Sequence, residues 1–112
     1  MTRYLISFDD GAMTFPEEEL PEVAEASHEV ARKAQDAGVW VFGGGLERQQ
    51  ASVVATDRTV TNGPYPETKA VLGGFSIIDV PTREDALEWA AKIAAACRCA
   101  QEVREIMADP TA

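Results

Sequence analysis

Residues that commonly build metal and redox sites are scarce in this chain, which has two cysteines and one histidine. Cys97 and Cys99 stand two positions apart, and two thiols are too few for the disulfide framework of a small secreted domain. The wider set of cysteine and histidine ligands that a structural zinc ion needs is also missing from the sequence. We therefore interpret both cysteines as small packing or partly exposed residues, with a redox role as the alternative, and expect neither a metal nor an organic cofactor.

Long apolar runs and an excess of positive charge are absent as well. No stretch approaches the roughly 18 consecutive apolar residues typical of a membrane span. The chain passes from Met1-Thr2-Arg3 into a strand-like segment without the features of a secretory signal. Its 10 basic residues are outnumbered by 19 acidic ones, and phosphate backbones would repel the resulting net charge of −9. These features predict a cytoplasmic protein that has neither a membrane nor a nucleic acid among its partners.

The apolar content is sufficient for one folded unit. A length of 112 residues with 46% hydrophobic content suits one compact domain and is too short for two. We expect a single domain over residues 1–112.

Several segments have the composition of strands. Tyr4–Phe8 stops at the turn signal Asp9-Asp10-Gly11, and Val39–Phe42 is followed by three glycines that permit a sharp turn or a close approach. The other predicted strands are residues 51–56 and 59–61, which form a hairpin around Asp57-Arg58, then 75–80 and 101–107.

Two segments have helical periodicity. The first begins near Pro21, ends before Gly38 and places His28 roughly 110° from the centre of its apolar stripe, at the margin of the buried face. That stripe consists of Leu20, Val23, Ala24, Ser27, Val30, Ala31 and Ala34. The second helix opens at the N-cap Thr82 and buries Ala86, Trp89, Ala90, Ile93 and Cys97.

This order of elements predicts an α+β fold. Two helices that cover one face of an antiparallel sheet are arranged most economically as a ferredoxin-like sandwich, here with an inserted β-hairpin. Every strand supplies bulky apolar residues, so the second face of the sheet also needs a cover.

A turn and the strand after it resemble a family signature. The turn reads Asn62-Gly63-Pro64-Tyr65-Pro66-Glu67-Thr68-Lys69, and the strand opens with Leu72-Gly73-Gly74-Phe75. Together they resemble the DGPF subgroup of the YCII-related family, with Asn62 in place of Asp and Tyr65 in place of Phe. The resemblance extends from Arg3 to Ile106 and implies a homodimer that pairs its uncovered sheet faces as a dimeric α/β barrel.

His28 is the leading candidate for chemistry because it is the only imidazole in the chain. The resemblance implies a His and Asp pair, for which His28 and Asp9 are the best positional match and Asp10 the next. A carboxylate that accepts a hydrogen bond from one ring nitrogen would fix the tautomer of the imidazole. In the alternative reading, His28 is a solvated helix residue and both aspartates merely end a strand.

The turn supplies the remaining candidates. Gly63 permits a positive φ and the two prolines stiffen the loop, so the segment has a structural reading as a rigid connector. In the functional reading, Tyr65 is a pocket wall and Lys69 a cation for a phenolic or anionic ligand, with Glu67 beside it. In the structural reading, Glu67 and Lys69 form a surface pair.

Two classes of function remain open. One is a small-molecule-binding protein that carries out cofactor-free acid and base chemistry as a lyase or hydrolase. The resemblance supports it, since one relative is a dehydrochlorinase of a chlorinated hydroxyquinol. The other is a non-catalytic homodimeric binding or regulatory module.

Overall fold

The computed structural model describes residues 1–47, 51–63 and 72–111. Within these ranges the chain forms six strands and two α-helices. They are β1 (Thr2–Asp9), α1 (Leu20–Asp36), β2 (Trp40–Gly45), β3 (Ser52–Val54), β4 (Val60–Asn62), β5 (Leu72–Val80), α2 (Arg83–Cys97) and β6 (Glu102–Glu105). A 3-10 turn over Glu17–Glu19 leads into α1.

Four of the strands form one antiparallel sheet in the order β2-β5-β1-β6. β1 is central, pairing with β5 through Tyr4 and Ile78 and with β6 through Ile6 and Val103. The two helices pack on this sheet, and the strand order is consistent with a ferredoxin-like fold. The α+β class expected from the sequence is therefore confirmed.

The core lies between the sheet and the helices. Side chains alternate along a strand, so Tyr4 and Ile6 of β1 reach the same face as Ile78 and Val80 of β5. All four are buried and pack against α2. Burial raises the pKa of the Tyr4 phenol, and the nearby Glu105 carboxylate raises it further.

Both helices bury the faces that their periodicity predicts. In α1, Val23 and Ala34 are buried, whereas Leu20 is 51% exposed because it stands at the first position of the helix. The Thr82 hydroxyl caps α2 by accepting the backbone N–H of Asp85 at 3.2 Å, as expected. The buried residues of α2 are Ala86, Ala90, Ile93, Ala96 and Cys97.

The glycines of the sheet mainly allow neighbouring backbone and side chains to come close. β2 continues through Gly45 rather than ending at Phe42, so of the sharp turn and the close approach that the three glycines permit, the structure shows the close approach. A Cβ on Gly43 would lie 2.7 Å from the Phe75 carbonyl oxygen and 2.9 Å from the Trp40 ring. Among the described glycines, positive φ angles occur at Gly11 and Gly38 and not at Gly63. At Gly63 an added Cβ would lie 2.9 Å from the Val53 side chain.

Two more segments differ in length or setting from the sequence prediction. β6 ends at Glu105 instead of Met107, although the Ile106 N–H still donates to the Arg3 carbonyl at 2.9 Å. β3 and β4 pair with each other as a separate two-stranded sheet. Its turn is held by the Thr59 N–H donating to Asp57 Oδ1 at 2.9 Å.

The sheet face opposite the helices carries apolar side chains. Register and alternation place Leu5, Phe42, Phe75 and Ile77 there, and we call these four residues the open face. Phe42 is 62% exposed, and its ring lies 6.0 Å from the ring of Phe75 between centroids.

The helices are short. Within the described part of the chain, neither is long and apolar enough to cross a membrane.

Candidate functional site

A cavity of about 380 Å³ lies between the helices and the helix-facing side of the sheet. We call it the His28 cavity because His28 of α1 lines it. Its larger apolar wall residues are Phe8, Met13, Val30, Trp40 and Ile93, together with Ala31, Ala96 and the three glycines of β2. Phe75 also borders the cavity, although the register places its side chain on the opposite face of the sheet. Its other wall residues are Ser27, His28, Ser76, Cys97 and Gln101. The composition is that of a small-molecule pocket, mostly apolar with a few polar groups.

Glycines hold the two aromatic rings of the cavity in place. The Trp40 ring lies against Gly43, and the Phe8 ring lies against Gly73 and Gly74, where added Cβ atoms would come within 2.9 and 2.7 Å of it. Each ring therefore rests directly on strand backbone. The space above the rings stays open as the cavity.

His28 lies at the edge of the cavity, as its angle from the α1 stripe predicts. The residue is exposed overall yet contributes to the cavity wall, so its ring can meet both a bound molecule and solvent. Glu25 and Glu29, on the exposed side of α1, both pair with Arg32, at 2.8 and 2.7 Å. The hydrogen bond from Arg32 and the positive charge of Arg32 lower the pKa of Glu29.

A hydrogen-bonded chain crosses the wall between the two helices. The Ser27 hydroxyl donates to the Val23 carbonyl at 2.9 Å. A hydroxyl has one proton, so the 3.4 Å contact between Ser27 and Cys97 has the thiol as donor. Cys97 is free and buried, which confirms its interpretation as a packing residue.

Asp9 lies in a second, smaller cavity of about 230 Å³, which we call the Asp9 cavity. Its walls are Ser7, Phe8, Asp9, Ala12, Cys99, Ala100, Gln101 and Glu102. Phe8 and Gln101 line both cavities, whereas His28 lines only the first and Asp9 only the second. Among the described residues no hydrogen bond or ion pair joins His28 to Asp9, and the direct pair stays a prediction.

Asp10 follows in the turn that ends β1. The Ala12 N–H donates to the Asp9 carbonyl at 3.1 Å, and Gly11 adopts a φ of +81°, so the expected turn is confirmed. Gly73 leaves room for the Asp10 backbone, which a Cβ on that glycine would approach to 3.0 Å. The turn thus sits where β5 begins, and Leu72 pairs with Asp9.

The other three predicted site residues, Tyr65, Glu67 and Lys69, lie outside the described residues. Asn62 ends β4 and Leu72 begins β5, so the described strands flank the segment that carries them. Over the described ranges, no group of three or more His, Cys, Asp and Glu side chains could hold a metal ion.

Sequence reasoning treated several wall residues as structural. From the sequence, Cys97 is a packing residue, Trp40 and Gln101 belong only to predicted strands, and the three glycines permit a turn or a close approach. Alternation along β1 could have placed Phe8 on the cavity side with Ile6. Gln101 carries no comparable signal, since its position depends on how the segment after α2 returns to the sheet.

The fold and the cavity define the class of this protein. It is an α+β protein of ferredoxin-like architecture with a small-molecule-sized pocket under its helices. Residues 2–108 match the YCII-related domain, and the chain therefore belongs to the YCII-related family. No curated protein shows significant similarity to it.

Proposed function

We propose that this protein binds a small phenolic molecule in the His28 cavity, with His28 contacting the phenol oxygen. The observation that carries the proposal is the position of the only imidazole in the chain, on the wall of an aromatic cavity of about 380 Å³. Phe8 and Trp40 offer ring faces for stacking, and aromatic pairs prefer offset or edge-to-face contacts. The polar wall residues would fix the orientation of the ligand.

A phenol suits the described wall better than a carboxylate does. No lysine or arginine belongs to the described wall, and Ser76 and Gln101 supply neutral polar groups. Lys69, a predicted cation for an anionic ligand, would extend the same site to phenolates. In the same proposal Tyr65 is a wall of the pocket and Glu67 lies beside Lys69 in the sequence. The turn sequence from Asn62 to Lys69 also supports membership of the DGPF subgroup.

If the site is catalytic, its chemistry is an elimination or a hydrolysis. For a chlorinated hydroquinone, tautomerisation moves a proton from one hydroxyl to the neighbouring carbon that bears chlorine, so that this carbon becomes tetrahedral. His28 then takes the proton of the other hydroxyl, whose O–H electron pair forms a C=O bond. The ring double bond shifts to the chlorinated carbon, and chloride departs with its bonding pair to leave a quinone. Asp9 would orient His28, and backbone amides or Lys69 would stabilise negative charge.

Calorimetric titration with 4-methylphenol tests the binding proposal. His28→Gln should weaken binding by roughly two- to tenfold, because a hydrogen bond between neutral groups contributes about 0.5–1.5 kcal/mol. Lys33→Gln, an exposed change on the same helix outside the cavity wall, should leave the dissociation constant unchanged. Equal binding by wild type and His28→Gln would remove His28 from the site, and no binding by either would remove the proposed ligand class.

The second candidate is a non-catalytic homodimeric binding module. The open face favours a dimer, because Leu5, Phe75 and Ile77 are half-buried and Phe42 is mostly exposed in the single chain. Contiguous exposed apolar surface of this kind marks interaction sites. Pairing of two open faces would give the dimeric α/β barrel that the sequence resemblance implies.

Chloride release separates the two candidates. Wild-type protein incubated with chlorohydroquinone should release chloride if it is a lyase, and His28→Gln should lose that release while keeping its dimer. A binding module would bind the phenol in both forms and release no chloride in either. Unchanged release from His28→Gln would refute the acid and base role.

A further inference from the structure

Gly45 is a glycine that the surrounding fold does not require. It does not adopt a positive φ, so its backbone suits any residue. A Cβ on Gly43 or on Gly74 would collide with its surroundings at 2.7 Å. Apart from chain neighbours, the described atom nearest to a Cβ on Gly45 would be the Gly73 carbonyl oxygen, at an ordinary contact distance of 4.0 Å. Neither conformation nor close packing therefore accounts for the missing side chain.

The open space above Gly45 belongs to the His28 cavity. Gly45 pairs with Gly74 of β5, and a Cβ on Gly74 would meet the Phe8 ring. Paired residues of an antiparallel sheet point to the same face, so a side chain on Gly45 would point to the helix-facing side as Phe8 does. Both Gly45 and Phe8 line the cavity.

Gly44 has similar freedom on the opposite face of the sheet. A Cβ there would meet no described atom within 4 Å. Gly44 pairs with Phe75, whose side chain belongs to the open face. A side chain at Gly44 would therefore point away from the cavity, which leaves Gly45 as the position that controls space inside it.

Gly45 and His28 lie at different distances from the corner where α1 turns into β2. At that corner the Val39 N–H donates to the Ala34 carbonyl at 3.0 Å. His28 precedes Ala34 by about 9 Å of helix, whereas Gly45 follows Val39 by roughly 20 Å of strand. Because α1 runs back over the sheet from this corner, Gly45 lies farther along the cavity than His28. A ligand whose oxygen contacts His28 would extend its other end toward Gly45.

The cavity floor at Gly45 is fixed and its neighbours are apolar. The next residue, Leu46, donates its N–H to the Gly73 carbonyl at 2.8 Å, so the backbone is held against β5. The Phe8 and Trp40 rings rest on the glycines beside Gly45. An added side chain would therefore occupy cavity space rather than displace the floor, and the group that fills this space in a ligand should be apolar.

We infer that Gly45 is a specificity-determining residue, whose missing side chain leaves room for a bulky apolar substituent at the end of the ligand opposite its hydroxyl. The ligand class is then a phenol with a branched alkyl group at the 4-position. This inference deepens the proposed function and rests on it, because it requires that the His28 cavity hold a phenol.

The test compares the dissociation constants of 4-methylphenol and 4-tert-butylphenol by calorimetry. Wild type should bind 4-tert-butylphenol at least about tenfold more tightly, because the larger alkyl group buries more apolar area. In Gly45→Val the valine side chain takes that space, so the ratio of the two constants should fall to about one or reverse. Gly45→Ala should give an intermediate ratio. The ratio is the readout because a change in the cavity wall alters the affinity of both probes.

Ser52→Val is the matched control. It places the same side chain at an exposed strand position, in β3 and outside the cavity wall. Both dissociation constants of this variant should equal those of wild type.

A second measurement needs no substitution. In wild type, the tert-butyl protons of the bound probe should give intermolecular NOEs to the α protons of Gly45. This result holds even if Gly45→Val fails to fold, which circular dichroism would reveal.

The outcomes separate this inference from the proposed function. If wild type binds 4-methylphenol but does not prefer 4-tert-butylphenol, the inference is wrong and the proposed function stands. The same conclusion follows if folded Gly45→Val keeps the wild-type ratio, or if the tert-butyl NOEs lead only to other residues. If wild type binds neither phenol, the proposed function and the inference are both wrong.

Discussion

Single glycines decide whether the aromatic walls of the His28 cavity can form. A Cβ at Gly74 would lie 2.7 Å from two atoms of the Phe8 ring and 3.1 Å from the Gly44 carbonyl oxygen. We expect Gly74→Ala to lower the free energy of unfolding by about 1–3 kcal/mol, the usual cost of overpacking. Urea denaturation followed by circular dichroism measures it.

Gly44 provides the matched control for this prediction. It belongs to the neighbouring strand β2, and a Cβ there would meet nothing within 4 Å. Gly44→Ala should therefore leave the stability close to that of wild type. Similar losses for both variants would show that flexibility of the glycines, rather than contact with Phe8, is what the sheet requires.

Cys99 gives a prediction about pH. Burial raises the pKa of the Cys99 thiol, with a smaller contribution from Cys97. The thiolate is the nucleophile, so iodoacetamide should modify Cys99 more slowly at neutral pH in the folded protein than in the urea-unfolded chain. Because the folded state favours the protonated thiol, its contribution to stability is present below the unfolded pKa and is lost as pH rises through the folded value.

Mass spectrometry after trypsin digestion measures the rate of Cys99 alkylation directly, because cleavage after Arg98 separates Cys97 from Cys99. The pH profile of Cys99 alkylation should lie at higher pH in the folded protein than in urea. Coincident profiles would contradict the burial of this thiol.

At the scale of single elements, the Thr82 cap supports the start of α2. Its hydroxyl accepts from the Asp85 N–H at 3.2 Å, and it also donates to Asp85 Oδ2 at 2.9 Å. Thr82→Ala should reduce the free energy of unfolding by about 1 kcal/mol, the typical cost of a lost N-cap. Thr14→Ala, at an exposed threonine outside both helices, is the control and should cost nothing measurable by urea denaturation. Equal effects at the two sites would refute a capping role.

The helices and the central strands could be predicted from the sequence because their signals are local. The Thr82 cap and the periodicity of α1 depend on residues within a few positions of each other, and both are confirmed. The lengths of β2 and β6 were missed because strand ends depend on partners distant in the chain. β2 runs through its glycines because β5 pairs with them as far as Gly74.

The candidate site was only partly predictable for the same reason. The position of His28 at the edge of a buried helix face follows from helix geometry, and the structure places it on a cavity wall. His28 and Asp9 line different cavities, and the place of the end of β1 among its neighbours depends on the register of β1 with β6. No pattern within either strand contains that register.

For the whole molecule, the open face predicts self-association. A homodimer formed through Leu5, Phe42, Phe75 and Ile77 should sediment at twice the chain mass of 12.1 kDa. Phe42→Glu should yield a monomer, because it would bury a charge without a partner in the interface. Sedimentation-velocity centrifugation measures the mass.

Leu87→Glu is the matched control for the dimer. Leu87 is an exposed apolar residue of α2, away from the open face, with an exposed fraction of 46%. The Leu87→Glu variant should therefore remain dimeric. A wild-type protein that sediments as a monomer at micromolar concentration would contradict the proposed assembly, as would a Phe42→Glu variant that stays dimeric.

The measurement that tests the central claim most directly is an NMR search for intermolecular NOEs between 4-methylphenol and the cavity wall. We predict NOEs from the probe ring protons to the methyl groups of Met13, Ala31 and Ala96, together with saturable shifts of the single His28 imidazole. Because there is one histidine, its signals need no further assignment. NOEs confined to residues outside this cavity, or none at a probe concentration that saturates the calorimetric titration, would contradict the account.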